Sequence, residues 1–184
     1  MTRLPLSELG GSTADRIMGH RPEVLAAWDG LRHALGGGSA TLSPELKEQV
    51  RRTLALRTGC EFCASLGRPA AEQPSRRDSL AVAFADAVAM DHNAITDGQL
   101  EVLLEEFTVP QVVELLTWIV FEYAGQMFGA LIGDETAAAK AARSSAVAVS
   151  RAARSGAAPL HRRVKRASRA APRPPGGRCP PGAP

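Results

Sequence analysis

The helical spacing of the apolar side chains is the feature that most constrains the fold of this chain. Leu80, Phe84 and Val88 recur every four residues, and no stretch of strand length alternates between apolar and polar residues. Spacing of this kind puts apolar side chains on one face of an α-helix, where they pack against other helices. We therefore predict an all-α fold, with a single helical domain over residues 1–139.

Helix start signals support this prediction. Ser43 precedes Pro44, which gives an N-cap oxygen followed by a proline at the first helical position. Two further starts have the form of a capping box, Thr96 with Gln99 and Thr108 with Gln111. The last helix runs to about Ile132 and is apolar on most of its circumference, which is typical of a central core helix or an oligomer interface.

The charge is divided unevenly along the chain. Residues 1–139 contain 11 basic and 19 acidic side chains, a net charge of −8, whereas residues 140–184 contain 11 basic and no acidic ones. Residues 140–184 also lack aromatic side chains and are rich in Ala, Arg, Pro and Gly. Such a segment buries too little apolar area to offset its ordering entropy, so we predict a disordered basic tail. We expect the tail to be solvated and do not expect nucleic acid to be a partner.

The sequence favours a cytoplasmic location. Residues 1–24 have no apolar core of a secretory signal. The apolar stretch Leu115–Phe121 is flanked by Glu114 and Glu122 and is short for a bilayer span. We therefore expect no membrane partner.

Two cysteines carry the most specific chemistry in the chain. Cys60 and Cys63 lie one helical turn apart and can form and release a disulfide, whereas Cys179 lies in the predicted tail. A structural zinc site usually needs four ligands, and no second pair at matching spacing is visible, so we expect no metal and no other cofactor. A chemically idle pair is the alternative. In a reducing compartment a pair of this spacing is more often catalytic than structural, which favours a redox-active dithiol.

The residues around the cysteines predict a helix start. Thr58 fits an N-cap with Glu61 at the third helical position, which would put Cys60 in the first turn. Backbone N–H groups and the helix dipole stabilise a thiolate there. This argument makes Cys60 the more acidic thiol of the pair.

Three stretches together resemble the carboxymuconolactone decarboxylase and alkylhydroperoxidase D family. They are Gly19–Glu23, Leu42–Glu48 and Thr58–Cys63. The resemblance continues more weakly to about Asp134 and does not include the tail. It implies an all-helical, alkylhydroperoxidase D-like domain that assembles into homo-oligomers. It also implies a dithiol that reduces a peroxide substrate and is restored by a disulfide reductant.

The resemblance also implies roles for individual residues. Cys63 corresponds to the cysteine that attacks the peroxide and Cys60 to the resolving cysteine, in contrast to the argument from the helix start. Glu48, twelve residues before Cys60, corresponds to the family's proton-relay glutamate. From the residues alone, Glu48 also fits a solvent-facing charge beside Lys47 and Arg51.

One position departs from the family pattern. The motif continues to a histidine four residues after the second cysteine, where this chain has Gly67. His20 or His92 would have to reach the site to replace it, although each fits an ordinary surface position.

These observations predict a thiol-dependent, peroxidase-like antioxidant protein that uses a Cys60–Cys63 disulfide cycle. The alternative is a non-enzymatic, oligomeric, redox-responsive helical protein, and Gly67 favours it. A decarboxylase of the same family is a third alternative, but the dithiol argues against it because that reaction needs no cysteine pair.

Overall fold

The computed structural model describes residues 2–133, and within them every regular element is helical. The elements are α1 (Thr13–Met18), α2 (Pro22–Gly36), α3 (Pro44–Ala55), α4 (Glu61–Ser65), α5 (Arg76–Asp91), a short 3-10 turn (His92–Ala94), α6 (Asp97–Leu104) and α7 (Val109–Ile132). The predicted all-α fold class is therefore confirmed. The predicted tail over 140–184 and the last part of the predicted domain, 134–139, lie outside the described residues.

The helix starts follow the predicted capping chemistry. The Ser43 hydroxyl accepts a hydrogen bond from the backbone N–H of Leu46 at 3.2 Å, at the start of α3. In the capping boxes of α6 and α7, the backbone N–H of the N-cap threonine donates to the glutamine side chain three residues later. The backbone N–H of Thr96 donates to Gln99 Oε1 at 2.8 Å, and that of Thr108 donates to Gln111 Oε1 at 3.1 Å. These bonds satisfy backbone groups that a helix end leaves without partners.

The core lies where α3 packs against α5 and α7. Five of its side chains have no exposed surface, namely Val50, Leu54, Ala81, Ala85 and Leu115. The two alanines lie on α5, where their small side chains let the helix approach its neighbours closely at these positions. Burying a leucine such as Leu54 contributes about 2 kcal/mol. The predicted role of the last helix in the core is confirmed.

Helix α7 is long and apolar enough to cross a membrane by length and composition. In this fold one side of it instead contributes Leu115 and Ile119 to the core. The helix also carries Glu114, whose carboxylate forms an ion pair with Lys47 of α3. These contacts make α7 part of the core and hold it against α3.

The Lys47–Glu114 pair fixes α3 against α7 at one end of the core. Lys47 is buried, and its ammonium also donates to the backbone carbonyl of Leu35. Burial raises the pKa of Glu114, but hydrogen bonds from Lys47 and from Thr41 outweigh it and lower the pKa to about 2. The carboxylate therefore stays ionised, and the buried ammonium keeps its counter-charge.

Candidate functional site

Cys60 and Cys63 are joined by a disulfide. Cys60 is the N-cap of α4, and its Sγ accepts a hydrogen bond from the backbone N–H of Cys63 at 3.2 Å. The predicted cap at Thr58 is therefore wrong, because α4 begins two residues later than expected. The motif spans the first turn of a five-residue helix, which holds the two sulfurs within bonding distance.

Thr58 has a different role from the predicted one. Its hydroxyl donates to Gln126 Oε1 at 3.1 Å, and the amide of Gln126 donates to the backbone carbonyl of Arg51 at 3.0 Å. The chain then turns at Gly59, whose φ of 69° lies in the left-handed region that favours glycine. This network connects the segment before the disulfide to α7 and to α3.

The two cysteines have different surroundings. Cys60 is 1% exposed, and its Sγ lies against α7 at Gly129. A Cβ at Gly129 would lie 3.1 Å from Cys60 Sγ and 3.8 Å from Cys63 Sγ, so a side chain there would crowd the Cys60 sulfur. Cys63 is half-buried and borders a pocket.

The pocket beside Cys63 has a volume of about 190 Å³. Its apolar wall is formed by Met18, Trp28, Leu66 and Phe121. The rings of Trp28 and Phe121 lie with their centroids 4.6 Å apart. Its charged and amide side chains are Asp15, Arg32, Arg51, Glu122 and Gln126. A small molecule in this pocket would meet a sulfur atom, apolar surface and both signs of charge.

Glu48 is held by two arginines. Arg51 donates to both of its carboxylate oxygens, at 2.7 and 2.8 Å, and Arg52 donates to Glu48 Oε1 at 2.7 Å. These bonds, led by the one from Arg51, lower the pKa of Glu48 to about 2 against the opposing effect of burial. Arg51 also donates to the backbone carbonyl of Cys63 at 3.2 Å. Glu48 is thus connected to the disulfide through Arg51, and its role as a proton relay stays a prediction.

Glu122 is a carboxyl group in the pocket that the sequence reasoning did not assign to the site. Burial raises its pKa above the ordinary value of 4.5, and this outweighs the lowering by Gln126 and Arg51. Gln126 Nε2 lies 3.5 Å from Glu122 Oε2, one turn along α7. The signal in the sequence was an acidic residue at the end of the apolar stretch Leu115–Phe121 of α7.

Gly67, at the position of the family histidine, lies against the side chain of Arg52. Gly67 has a φ of 127°, and a Cβ there would lie 3.3 Å from the guanidinium of Arg52. A histidine would therefore be strained and crowded in this structure. His20 lies at the surface with its ring nitrogen 3.0 Å from the Pro5 carbonyl, and His92 is exposed. No histidine within residues 2–133 borders the pocket.

Comparisons with known proteins identify a shared fold. No family model matches the chain, and no curated protein matches it significantly. Among solved structures, the chain is similar to an uncharacterized peroxidase-related protein from Silicibacter sp. TM1040. The two are 15% identical with a TM-score of 0.59, over 66% of this chain and 74% of the other. The fold expected from the sequence resemblance is confirmed by this likeness, and the Cys60–Cys63 disulfide fits a redox role for the motif.

Proposed function

We propose that this protein is a thiol-dependent peroxidase that uses the Cys60–Cys63 pair in a dithiol–disulfide cycle. The observation that carries the proposal is the disulfide itself, with one sulfur at a pocket and the other buried behind it. A pair that only stabilised the fold would need no pocket beside it. The fold shared with a peroxidase-related protein supports the same interpretation.

The two cysteines take different parts in the proposed cycle. Cys63 borders the pocket and attacks the peroxide, whereas Cys60 is buried and resolves the product. The Cys63 thiolate attacks one oxygen of ROOH, the O–O bond breaks, and a sulfenic acid forms while RO⁻ takes up a proton to give ROH. The Cys60 thiol then attacks the sulfenic sulfur, the S–S bond forms, and the hydroxyl leaves as water with the Cys60 proton.

An external dithiol closes the cycle by thiol–disulfide exchange and is itself oxidised to a disulfide. The sum of the steps converts one peroxide and one reduced dithiol into an alcohol, water and an oxidised dithiol. In this scheme Glu48 orients Arg51, and the guanidinium supplies a positive charge on the Cys63 side of the pocket. Positive charge near a thiol favours its ionised, reactive form.

We also propose that the protein works as a homo-oligomer. One face of α7 carries apolar and small side chains at alternating spacings of four and three residues, which we name the α7 stripe: Val113, Thr117, Val120, Ala124, Met127 and Leu131. Val120 and Leu131 are 64% and 65% exposed in the single chain. This spacing is that of a coiled-coil seam, which pairs naturally with the same face of a second copy.

A redox-responsive protein without turnover is the second candidate, and the absence of the family histidine at Gly67 favours it. The two candidates differ in how much peroxide one chain consumes. We would measure the loss of hydrogen peroxide and of cumene hydroperoxide with dithiothreitol as the reductant. The wild type, Cys63→Ser and the control Cys179→Ser would be compared.

A peroxidase turns over many times in the wild type and in Cys179→Ser, and loses turnover in Cys63→Ser. Consumption of at most one peroxide per chain would contradict the enzyme proposal and support the redox-responsive one.

A further inference from the structure

We infer that Glu122 is the proton-transferring residue for Cys63, which takes the thiol proton and returns it to the departing alkoxide. The inference rests on the proposed peroxidase function and identifies the group that performs its proton transfers. In the first step the proton passes from Cys63 Sγ to the Glu122 carboxylate, and then from Glu122 to RO⁻ as the O–O bond breaks. No proton is gained or lost over this step.

The geometry brings Glu122 and Cys63 to the same space from two different helices. Both border the pocket of about 190 Å³, Cys63 from α4 and Glu122 from α7. A pocket of this volume accommodates a small peroxide together with a water molecule. In the inferred step the proton passes between the two groups within this pocket, directly or through water.

Two other carboxylates near the disulfide are poor proton carriers. Glu48 is held by two arginines, and its pKa of about 2 leaves on the order of one molecule in 10⁵ protonated at pH 7. Asp15 is also kept ionised, because hydrogen bonds from Arg32 and Ser12 outweigh the effect of burial and lower its pKa. Glu122 receives no direct hydrogen bond from an arginine, and burial favours its neutral form. Of these three groups, it is the one that exchanges a proton most easily near neutral pH.

The charges around Glu122 come from every helix that borders the pocket. They are Asp15 on α1, Arg32 on α2, Glu48 and Arg51 on α3, and the Cys63 thiol on α4 once the disulfide is reduced. Arg51 and Arg32 favour the ionised carboxylate, and Glu48 opposes it. Burial has the largest effect and keeps the pKa of Glu122 above its ordinary value.

The reactive state contains one proton shared between Cys63 and Glu122. At lower pH both groups are protonated and no thiolate is available. At higher pH neither is protonated, and the departing alkoxide has no donor. The rate should therefore follow a bell-shaped pH profile with two apparent pKa values that belong to the pair.

The first test is the pH profile of kcat/KM for cumene hydroperoxide in the full-length chain, with dithiothreitol as the reductant. Glu122→Gln keeps the length of the side chain and its hydrogen bond with Gln126. We expect about 100-fold lower activity at pH 7, within the usual range for general acid–base catalysis, and loss of the alkaline limb, because the variant has no carboxyl that loses its proton as the pH rises. Glu122→Asp keeps a titratable carboxyl and should retain the alkaline limb. Glu105→Gln, on the exposed side of the domain, is the matched control and should match the wild type.

An unchanged pH profile in Glu122→Gln would overturn the inference. So would a uniform loss of activity at every pH, because that is the effect of a merely structural role.

The second test is independent of turnover. In a Cys60→Ser/Cys179→Ser background Cys63 is the single thiol, and its alkylation by iodoacetamide can be followed against pH. We expect two steps with Glu122, and a single step displaced to lower pH in Glu122→Gln, because a negative charge near the thiol is removed.

The two tests separate the two proposals. Coupled alkylation without turnover would contradict the peroxidase and leave the coupling of Glu122 to Cys63 in place. Turnover combined with an alkylation profile that is the same with and without the Glu122 carboxyl would overturn the inference about Glu122 and leave the peroxidase proposal in place.

Discussion

The contact between the sulfurs and Gly129 makes a quantitative prediction. A methyl group at this position would lie 3.1 Å from Cys60 Sγ, where Cys60 is 1% exposed and enclosed by the fold. Overpacking a buried site costs about 1–3 kcal/mol. Alanine in place of glycine in a helix gains about 0.5–1 kcal/mol. The central values leave Gly129→Ala less stable than the wild type by about 1 kcal/mol.

Gly30 supplies the matched control. It lies within α2 with no atom within 4 Å of an added Cβ. Gly30→Ala therefore gains the stability that alanine gives a helix and does not crowd a neighbouring atom. We expect the oxidised variants to differ in their free energies of unfolding by about 2 kcal/mol, the central cost of overpacking. Urea denaturation of both proteins measures this difference.

The same pair of variants can be made in a background without the sulfurs. In Cys60→Ala/Cys63→Ala the crowding at Gly129 should disappear, and the difference between the two alanine variants should fall towards zero. Equal stabilities of Gly129→Ala and Gly30→Ala in the disulfide-containing protein would refute the packing argument.

Four further predictions concern charges and the α7 stripe. Glu114→Gln should destabilise the fold by about 3–5 kcal/mol in urea denaturation, because it leaves Lys47 buried without a counter-charge. Because folding lowers the pKa of Glu114, its stabilisation is present above pH 4.5 and should be lost as the pH falls towards about 2, which denaturation at several pH values would detect. Glu48→Gln should lower kcat/KM about tenfold at every pH, because this loss corresponds to one charge-assisted hydrogen bond between Glu48 and its arginines. Loss of one limb of the pH profile would instead identify Glu48 as a proton relay. Val120→Glu should reduce the oligomer size in light scattering while Val102→Glu, an exposed position of α6, does not; equal sizes would contradict an interface at the stripe.

The fold could be predicted from local patterns because helices depend on neighbours in sequence. Two such patterns are the apolar spacing of Leu80, Phe84 and Val88 and the N-cap at Ser43. Each depends on residues within one or two helical turns. Both partners of such an interaction are close in sequence, so the local pattern is enough to predict it. The cap at Thr58 failed because its hydroxyl bonds to Gln126 instead, a residue 68 positions away. No local pattern carries information about such a partner.

The site was predicted only in part, for the same physical reason. The cysteine pair is a local motif, and its disulfide follows from spacing within one helical turn. The two arginines on Glu48 were within four residues and could have been read as ion pairs at helical spacing. Glu122 and Gly129 could not be assigned in this way, because their roles depend on how α7 packs against α4.

The most direct test of the account is to trap the product of the first chemical step. In Cys60→Ser/Cys179→Ser the resolving thiol is absent, so a sulfenic acid on Cys63 should persist after one equivalent of peroxide and react with dimedone. We predict a dimedone adduct on Cys63 by mass spectrometry. We predict a much slower reaction of Cys60 in Cys63→Ser/Cys179→Ser, because Cys60 is buried. Absence of the adduct on Cys63, or equally fast reaction of Cys60, would contradict the claim that the cysteine at the pocket reduces the peroxide.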